Sequence, residues 1–255
     1  MLGQTYPLER TMVIPARAER TFSYFTDSGR WASWWGAGSS IEGRPGGAMR
    51  IRHANGVEMT GDVLEVVVPS RVVFTYGYAG GQPIPAGGSR VTIQLAAHPD
   101  GTLLTLRHEL ADEAIRNEHV QGWRFQLSVL ANVIANDAAA DAETTVDRWF
   151  ATWSESDLIR RERGLDEIAS RELRFEDRFS RIAGIDEVRA HLAAVHRFMP
   201  GLRLERHGPI RHCQWHVLAD WIAVAKEGQQ RGRGTNLFVL DQDGRIAAVT
   251  GFWAG

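Results

Sequence analysis

Asp177 is the side chain whose neighbours in the sequence point most directly to chemistry. The run Leu173-Arg174-Phe175-Glu176-Asp177-Arg178-Phe179 alternates in polarity, and in a strand alternate side chains share a face. Leu173, Phe175, Asp177 and Phe179 then point one way, while Arg174, Glu176 and Arg178 point towards water. A carboxylate among leucine and phenylalanines is desolvated, which raises its proton affinity towards that of a useful general base. The same residue also reads as a strand-end carboxylate bonded to a backbone amide or an arginine.

A second set of candidates is aromatic. Phe74, Tyr76 and Tyr78 alternate onto one strand face, His119 and Trp123 share a helix face, and Trp34 and Trp35 form an adjacent pair. Together they could line an apolar cavity with a few polar anchors, the usual make-up of a small-molecule site; a packed core without ligand is the alternative. Trp149, on an apolar helix stripe, reads first as core, although its indole N–H can donate a hydrogen bond, as can the amide of Asn236. His212, Cys213 and His216 invite a zinc reading, but their spacing fits no standard pattern and no fourth ligand stands nearby. A turn between two strands explains them as well. His191 and His196 are five residues apart, on different faces of a helix, and form no ligand pair. In the first half there are no paired carboxylates and no Ser-His-Asp order. Arg44-Pro45-Gly46-Gly47 is a turn, and Gly80–Gly88 lacks the lysine and following helix of a phosphate loop. No metal and no cofactor are expected.

Two domains must position these residues. The 255-residue chain is long for one compact domain and comfortable for two. It is 44% hydrophobic and 24% charged, ordinary for a folded protein. A formal charge of -2 gives no field that would draw nucleic acid or an anionic membrane. The single cysteine, Cys213, excludes an intrachain disulfide and fits a reducing compartment. No signal pattern opens the chain and no stretch approaches the roughly 18 apolar residues of a membrane span. The expected location is cytoplasmic.

Along the first half, Tyr6–Ile14 reads as a strand stopped by Pro15, and Ala18–Thr26 as a helix broken at Asp27-Ser28-Gly29. A short aromatic segment carrying Trp31, Trp34 and Trp35 follows. Ala48–His53, Val57–Val68, Val72–Tyr78, Val91–Ala97 and Leu103–His108 then form a meander, with Asn55-Gly56 as a hairpin turn. Asp112 caps a long helix whose stripe is His119, Val120, Trp123, Leu127, Leu130 and Ile134. Residues 138–142 read as a linker between a domain at 1–137 and a second at 143–255. The second opens with helical stripes (Val146, Trp149, Phe150, Trp153, then Leu158–Ser170), continues through the Asp177 strand to the stripe Ile185, Val188, Leu192, Val195, and ends in Leu202–Ile210, Trp215–Glu227, Gly232–Leu240 and Arg245–Trp253. Both halves are α+β, with different topologies.

Over about residues 8–136 the motifs resemble those of bacterial proteins related to the activator of heat-shock protein 90 ATPase. They are Phe22-x-x-Phe25-Thr26-Asp27, Trp34-Trp35-Gly36, Arg44-Pro45-Gly46-Gly47, Gly61-x-Val63-Leu64-Glu65, Val73-Phe74-Thr75, Ser89-Arg90-Val91-Thr92 and His119-x-x-Gly122-Trp123. The resemblance implies a START-like (SRPBCC) helix-grip fold, a curved antiparallel sheet holding a long C-terminal helix over a hydrophobic cavity. Over about residues 141–255 the chain resembles SnoaL-like polyketide cyclases and ketosteroid isomerases of the nuclear transport factor 2-like superfamily. Val146-Asp147-Arg148-Trp149, Phe175-Glu176-Asp177, Gly184-Ile185-Asp186-Glu187-Val188 and Gly244-Arg245-Ile246 to Gly251-Phe252-Trp253 carry that likeness. It implies a cone-shaped α+β domain and puts Asp177 at the position of the isomerases' proton-shuttling aspartate. Trp149 stands where their oxyanion-stabilising tyrosine would be, and Asn236 where their protonated aspartate would be, so the isomerase set is incomplete.

The expected function is binding of a small apolar or aromatic molecule in one or both pockets, with ligand-binding residues Trp34, Trp35, Phe74, Tyr76, His119, Trp123, Trp149 and Asn236. The alternative is an isomerase, cyclase or dehydratase using Asp177 as general base. The first resemblance also raises a chaperone ATPase co-factor role, without any further docking module in the sequence. Both resemblances imply a homodimer formed through exposed sheet surface.

Overall fold

The computed structural model describes residues 5–254. β1 (Tyr6–Ile14) leads into α1 (Ala18–Ser23) and α2 (Ser28–Trp35). Asp27, read from the sequence as part of a break, instead caps α2: its Oδ1 accepts the Arg30 amide N–H at 2.8 Å. The aromatic segment is therefore a helix. Its pitch drives Trp31, Trp34 and Trp35 into the core together. The indole of Trp31 donates to the Arg50 carbonyl at 3.0 Å and that of Trp34 to the Tyr24 carbonyl at 3.1 Å, whereas the buried indole nitrogen of Trp35 has no protein partner among the described residues.

Six strands follow: β2 (Ser40–Ile41), β3 (Ala48–Arg52), β4 (Glu58–Val67), β5 (Arg71–Tyr78), β6 (Ser89–His98) and β7 (Gly101–Leu110). They make an antiparallel sheet in the order β1-β7-β6-β5-β4-β3-β2. Alternation buries Ser89, Val91, Ile93 and Leu95 from β6, and Leu104, Leu106, His108 and Leu110 from β7. The 26-residue α3 (Glu113–Ala138) completes this half. Asp112 Oδ1 accepts the Ile115 amide at 2.9 Å, and Trp123, Leu127, Leu130 and Ile134 are buried along one stripe.

The chain divides into two compact units between Ile134 and Ala135. The last turn of α3 ends at Ala138, and α4 (Ala142–Ser154) begins four residues later. Then come α5 (Leu158–Ile168), β8 (Ala169–Glu176), β9 (Arg181–Ala183), α6 (Ile185–Phe198), β10 (Arg203–Arg206), β11 (Arg211–Cys213), β12 (His216–Val224), β13 (Gln230–Leu240) and β14 (Ile246–Ala254). The sheet order is β10-β12-β13-β14-β8-β9, with β11 on β12. β14 and β8 run parallel, while the other pairs are antiparallel. Of the stretch read as one strand at 202–210, only β10 is strand; the chain then turns through Gly208 at φ 79° before β11 begins at Arg211. Cys213 pairs with His216 across a tight turn, which accounts for the His-Cys-His cluster as a hairpin. Among the described residues no helix is long and apolar enough to cross a membrane, and no group of three or more His, Cys, Asp or Glu is placed to hold a metal ion.

Gly61 shows why the first sheet needs a particular residue at a particular point. A Cβ there would lie 1.8 Å from the Thr75 carbonyl oxygen on the facing strand, just before the β4/β5 register slips between Val63 and Glu65. The bend brings two backbones too close for any side chain. Gly61→Ala is expected to lower stability by about 1–3 kcal/mol in denaturant titration. Gly80→Ala, with nothing within 4 Å of the added carbon, should stay within about 0.5 kcal/mol of the parent.

Candidate functional site

The first domain holds a cavity of about 310 Å³, walled by Trp35, Met59, Tyr76, Tyr78 and Trp123, with His53, Glu118, His119 and Gln126 among its polar groups. Behind the wall the polar chemistry is closed. Trp123 Nε1 donates to His108 Nδ1 at 3.0 Å, which leaves the proton of that ring on Nε2. Nε2 donates to Ser89 Oγ at 2.8 Å, and the Ser89 hydroxyl donates to the Tyr76 carbonyl at 2.7 Å. Every donor has an acceptor, so His108 is at home as a neutral ring. Burial drives its pKa down to about 3, and the neighbouring His119 pushes the same way.

A second chain runs along the cavity. His119 Nδ1 donates to the Ile115 carbonyl at 2.8 Å, so Nε2 is left to accept the Tyr78 hydroxyl at 3.4 Å. Tyr76 packs edge to face on Tyr78 at 6.2 Å; burial, then the Tyr78 neighbour, hold its phenol well above the ordinary value. The Tyr76 and His119 rings meet edge to face at 6.1 Å. Half-buried His53 is also held neutral, by burial. The cavity therefore offers aromatic surface and hydrogen-bonding groups, with Glu118 as its acidic residue.

The second domain has a more apolar pocket of about 440 Å³, formed by Trp153, Val195, Met199, Leu202, Leu204, Ala223 and Trp253, with Phe179 at its edge. Asp177, Ser180, His191 and Arg231 are its polar members. β8 ends at Glu176, so Asp177 sits in the β8–β9 turn rather than inside a strand. Its Oδ1 accepts the Phe179 and Ser180 amides, both at 2.8 Å, and Oδ2 accepts the Trp253 indole at 3.1 Å. Phe179 is 69% exposed, so the expected burial of Asp177 between phenylalanines does not extend past Phe175. The carboxylate is held by N–H donors instead.

His191 of α6 faces the same pocket. Its ring lies 5.7 Å from both Phe175 and Trp153. Burial lowers its pKa and the charge of Asp177 opposes that. It has no hydrogen-bond partner among the described residues, which leaves it free to meet a ligand. The sequence reading dismissed His191 as half of a metal pair. The signal that could have found it is its position one residue before Leu192 on an amphipathic helix, at the edge of the buried stripe.

The aromatic candidates separate into two groups. Trp35, Tyr76, His119 and Trp123 border the first cavity. Trp34 and Phe74 lie behind it, packed edge-on to Trp31 at 5.2 and 5.7 Å. In the second domain Trp149 is fully buried among Trp153, Phe175 and Phe238, with its indole nitrogen enclosed and unpaired. Asn236 is also buried and accepts the Trp221 indole at 2.8 Å. Neither lines the Asp177 pocket, although Asn236 Oδ1 lies 3.3 Å, and the Asp177 Cβ 3.1 Å, from the point that a Cβ on Gly251 would occupy.

The neutral His108 has a measurable consequence. Unfolded, its pKa returns to about 6.5, so the unfolded chain binds a proton that the folded chain refuses. Stability from this residue is complete above pH 6.5 and is lost as pH falls towards 3. From pH 7 to pH 5 the loss should be about 2 kcal/mol. Denaturant titrations of the parent and His108→Gln at both pH values should show a shallower pH dependence in the variant.

Residues 15–135 match the family model for Activator of Hsp90 ATPase homolog 1-like protein, and residues 146–249 match that of the SnoaL-like domain. Among solved structures, a SnoaL-like family protein from Agrobacterium tumefaciens str. C58 is 25% identical, aligning 44% of this chain with 96% of its own at a TM-score of 0.42. Protein CV1439 from Chromobacterium violaceum is 26% identical over 49% of this chain and 94% of its own, with a TM-score of 0.41. The Aha1 dimer from Colwellia psychrerythraea is 17% identical over 48% and 90%, with a TM-score of 0.42. Comparison with curated proteins gives no match. The chain thus joins two α+β domains, the first matching the Activator of Hsp90 ATPase homolog 1-like family and the second the SnoaL-like domain.

Proposed function

We propose that the protein binds a small apolar or aromatic molecule, with the second-domain pocket as the principal site. One observation carries this reading. That pocket combines an apolar wall with Asp177 and His191, a small set of polar groups whose positions are fixed by neighbouring elements. Such a composition favours burial of a ligand body and hydrogen bonding to one part of it. The first-domain cavity, with Trp35, Tyr76, His119 and Trp123, is proposed as a second site for a ligand of the same general class. A panel of apolar and aromatic compounds should include members that stabilise the protein. A ligand at a hundred times its Kd adds about 2.7 kcal/mol. Flat melting curves across the panel, together with no co-purified small molecule in native mass spectrometry, would remove this reading.

A second reading is proton transfer in the same pocket, as in an isomerase, cyclase or dehydratase, with Asp177 as the base. Its support is the neighbouring His191, held neutral by burial and able to pass a proton between ligand and solvent. Fixing the carboxylate by Trp253 and by the turn limits its motion, so a carbon acid in the pocket would meet it in one orientation. Deuterium exchange at an activated C–H of a bound ketone, followed by NMR, tests it. Asp177→Asn and His191→Gln should each slow exchange by about 100-fold or more. Unchanged exchange in Asp177→Asn would rule out that residue as the base. A homodimer belongs to this proposal through the family resemblance, and light scattering on the full chain measures it.

A further inference from the structure

The register of β13 against β12 slips once. Ala223 faces Gly232 and Val224 faces Gln230, which leaves Arg231 as the extra residue of a bulge. Simple alternation would place Arg231 on the face of Arg233 and Thr235, which border another pocket with Asp220. A bulge re-aims the side chain it inserts, and Arg231 joins Asp177, His191 and Trp153 around the second-domain pocket. Its guanidinium has no ion pair or hydrogen bond among the described residues. This sets it apart from Arg206, which pairs with Asp147 and Glu143, and from Arg211, which pairs with Asp220.

The other charged group of the pocket does not take up this cation. Asp177 engages Oδ1 with two backbone amides and Oδ2 with the Trp253 indole, and it lies beyond ion-pair distance of Arg231. The remaining wall, with Leu202, Leu204 and Ala223, is apolar. An ammonium ligand would meet an uncompensated guanidinium, and a neutral ligand would leave it unused. A carboxylate would find a planar fork of donors that matches its own geometry.

We infer that the second-domain pocket takes an apolar molecule bearing a carboxylate, with Arg231 holding the carboxylate and the apolar body lying against Trp153, Leu202 and Leu204. This rests on the reading of that pocket as a small-molecule site. The test is isothermal titration calorimetry of the full chain with 2-naphthoate, methyl 2-naphthoate and 2-naphthylmethylammonium. The acid should bind about tenfold more tightly than its ester. Arg231→Gln should erase that preference, and Arg231→Lys should restore part of it. Arg231 is exposed on a bulge, so both variants should melt as the parent does. Leu204→Trp, which fills the pocket, should weaken acid and ester alike.

Binding of the ester as tightly as the acid, a preference for the ammonium, or an acid preference that survives Arg231→Gln would each overturn the carboxylate assignment while the small-molecule reading stood. Binding by none of the three probes would overturn the assignment and count against that reading as well. Binding that Leu204→Trp leaves unchanged would place the probe elsewhere and overturn the assignment too.

Discussion

The fully buried polar tie between sheet and helix in the first domain runs through the imidazole of His108. His108 projects from β7 into a layer otherwise made of Leu104, Leu106 and Leu110, where an unpaired polar ring would be costly. It is tolerated because Trp123 from α3 and Ser89 from β6 satisfy both of its nitrogens. Each such bond contributes on the order of 1 kcal/mol net, but leaving one unmade costs more than making it gains. The arrangement therefore acts mainly as a specification. α3 can seat in one register along the sheet, because another would strand the ring. Trp123, once seated, forms part of the cavity wall, and His119 one turn earlier meets Tyr78.

The second domain solves a related problem with a carboxylate. Asp177 closes the turn between β8 and β9 by accepting the Phe179 and Ser180 amides, and its other oxygen accepts the indole of Trp253 on β14. β14 lies parallel beside β8, so the strand that carries Trp253 is the one that also extends the sheet past Asp177. Gly251 keeps the approach open, since a Cβ there would come within 3.1 Å of the Asp177 side chain. Folding of the chain's end thus completes the setting of a residue placed 76 positions earlier.

The two cavities differ in chemistry for reasons visible in their walls. The first is dense in aromatic rings that contact one another edge to face, with hydroxyl and imidazole groups already bonded in series. The second has fewer rings, more aliphatic surface, and polar groups with unused capacity in His191 and Arg231. Unused capacity is where a ligand can be recognised, because bonds already made inside the protein must be broken before they can be offered.

Much of this was legible in the residues. Alternation at 103–108 and the stripe from Trp123 to Ile134 announce a strand and a helix, because side-chain direction follows backbone period. The turn at Asn55-Gly56 and the cap at Asp112 are equally local. Asp27 does lie in the break between two helices, and it also caps the second of them, which only the helix that follows reveals. Trp149 and Asn236, which the resemblance puts in a ligand site, are both buried, and period gives a face but not what the face meets. The amino-acid sequence by itself determined two α+β domains, most of their elements and the apolar faces. The tertiary structure decided that His191 shares the pocket of Asp177, that Trp253 holds the carboxylate, and that a single bulged residue brings Arg231 to that pocket. Those are contacts between segments far apart in the chain, and their geometry depends on packing and register, which no local pattern encodes.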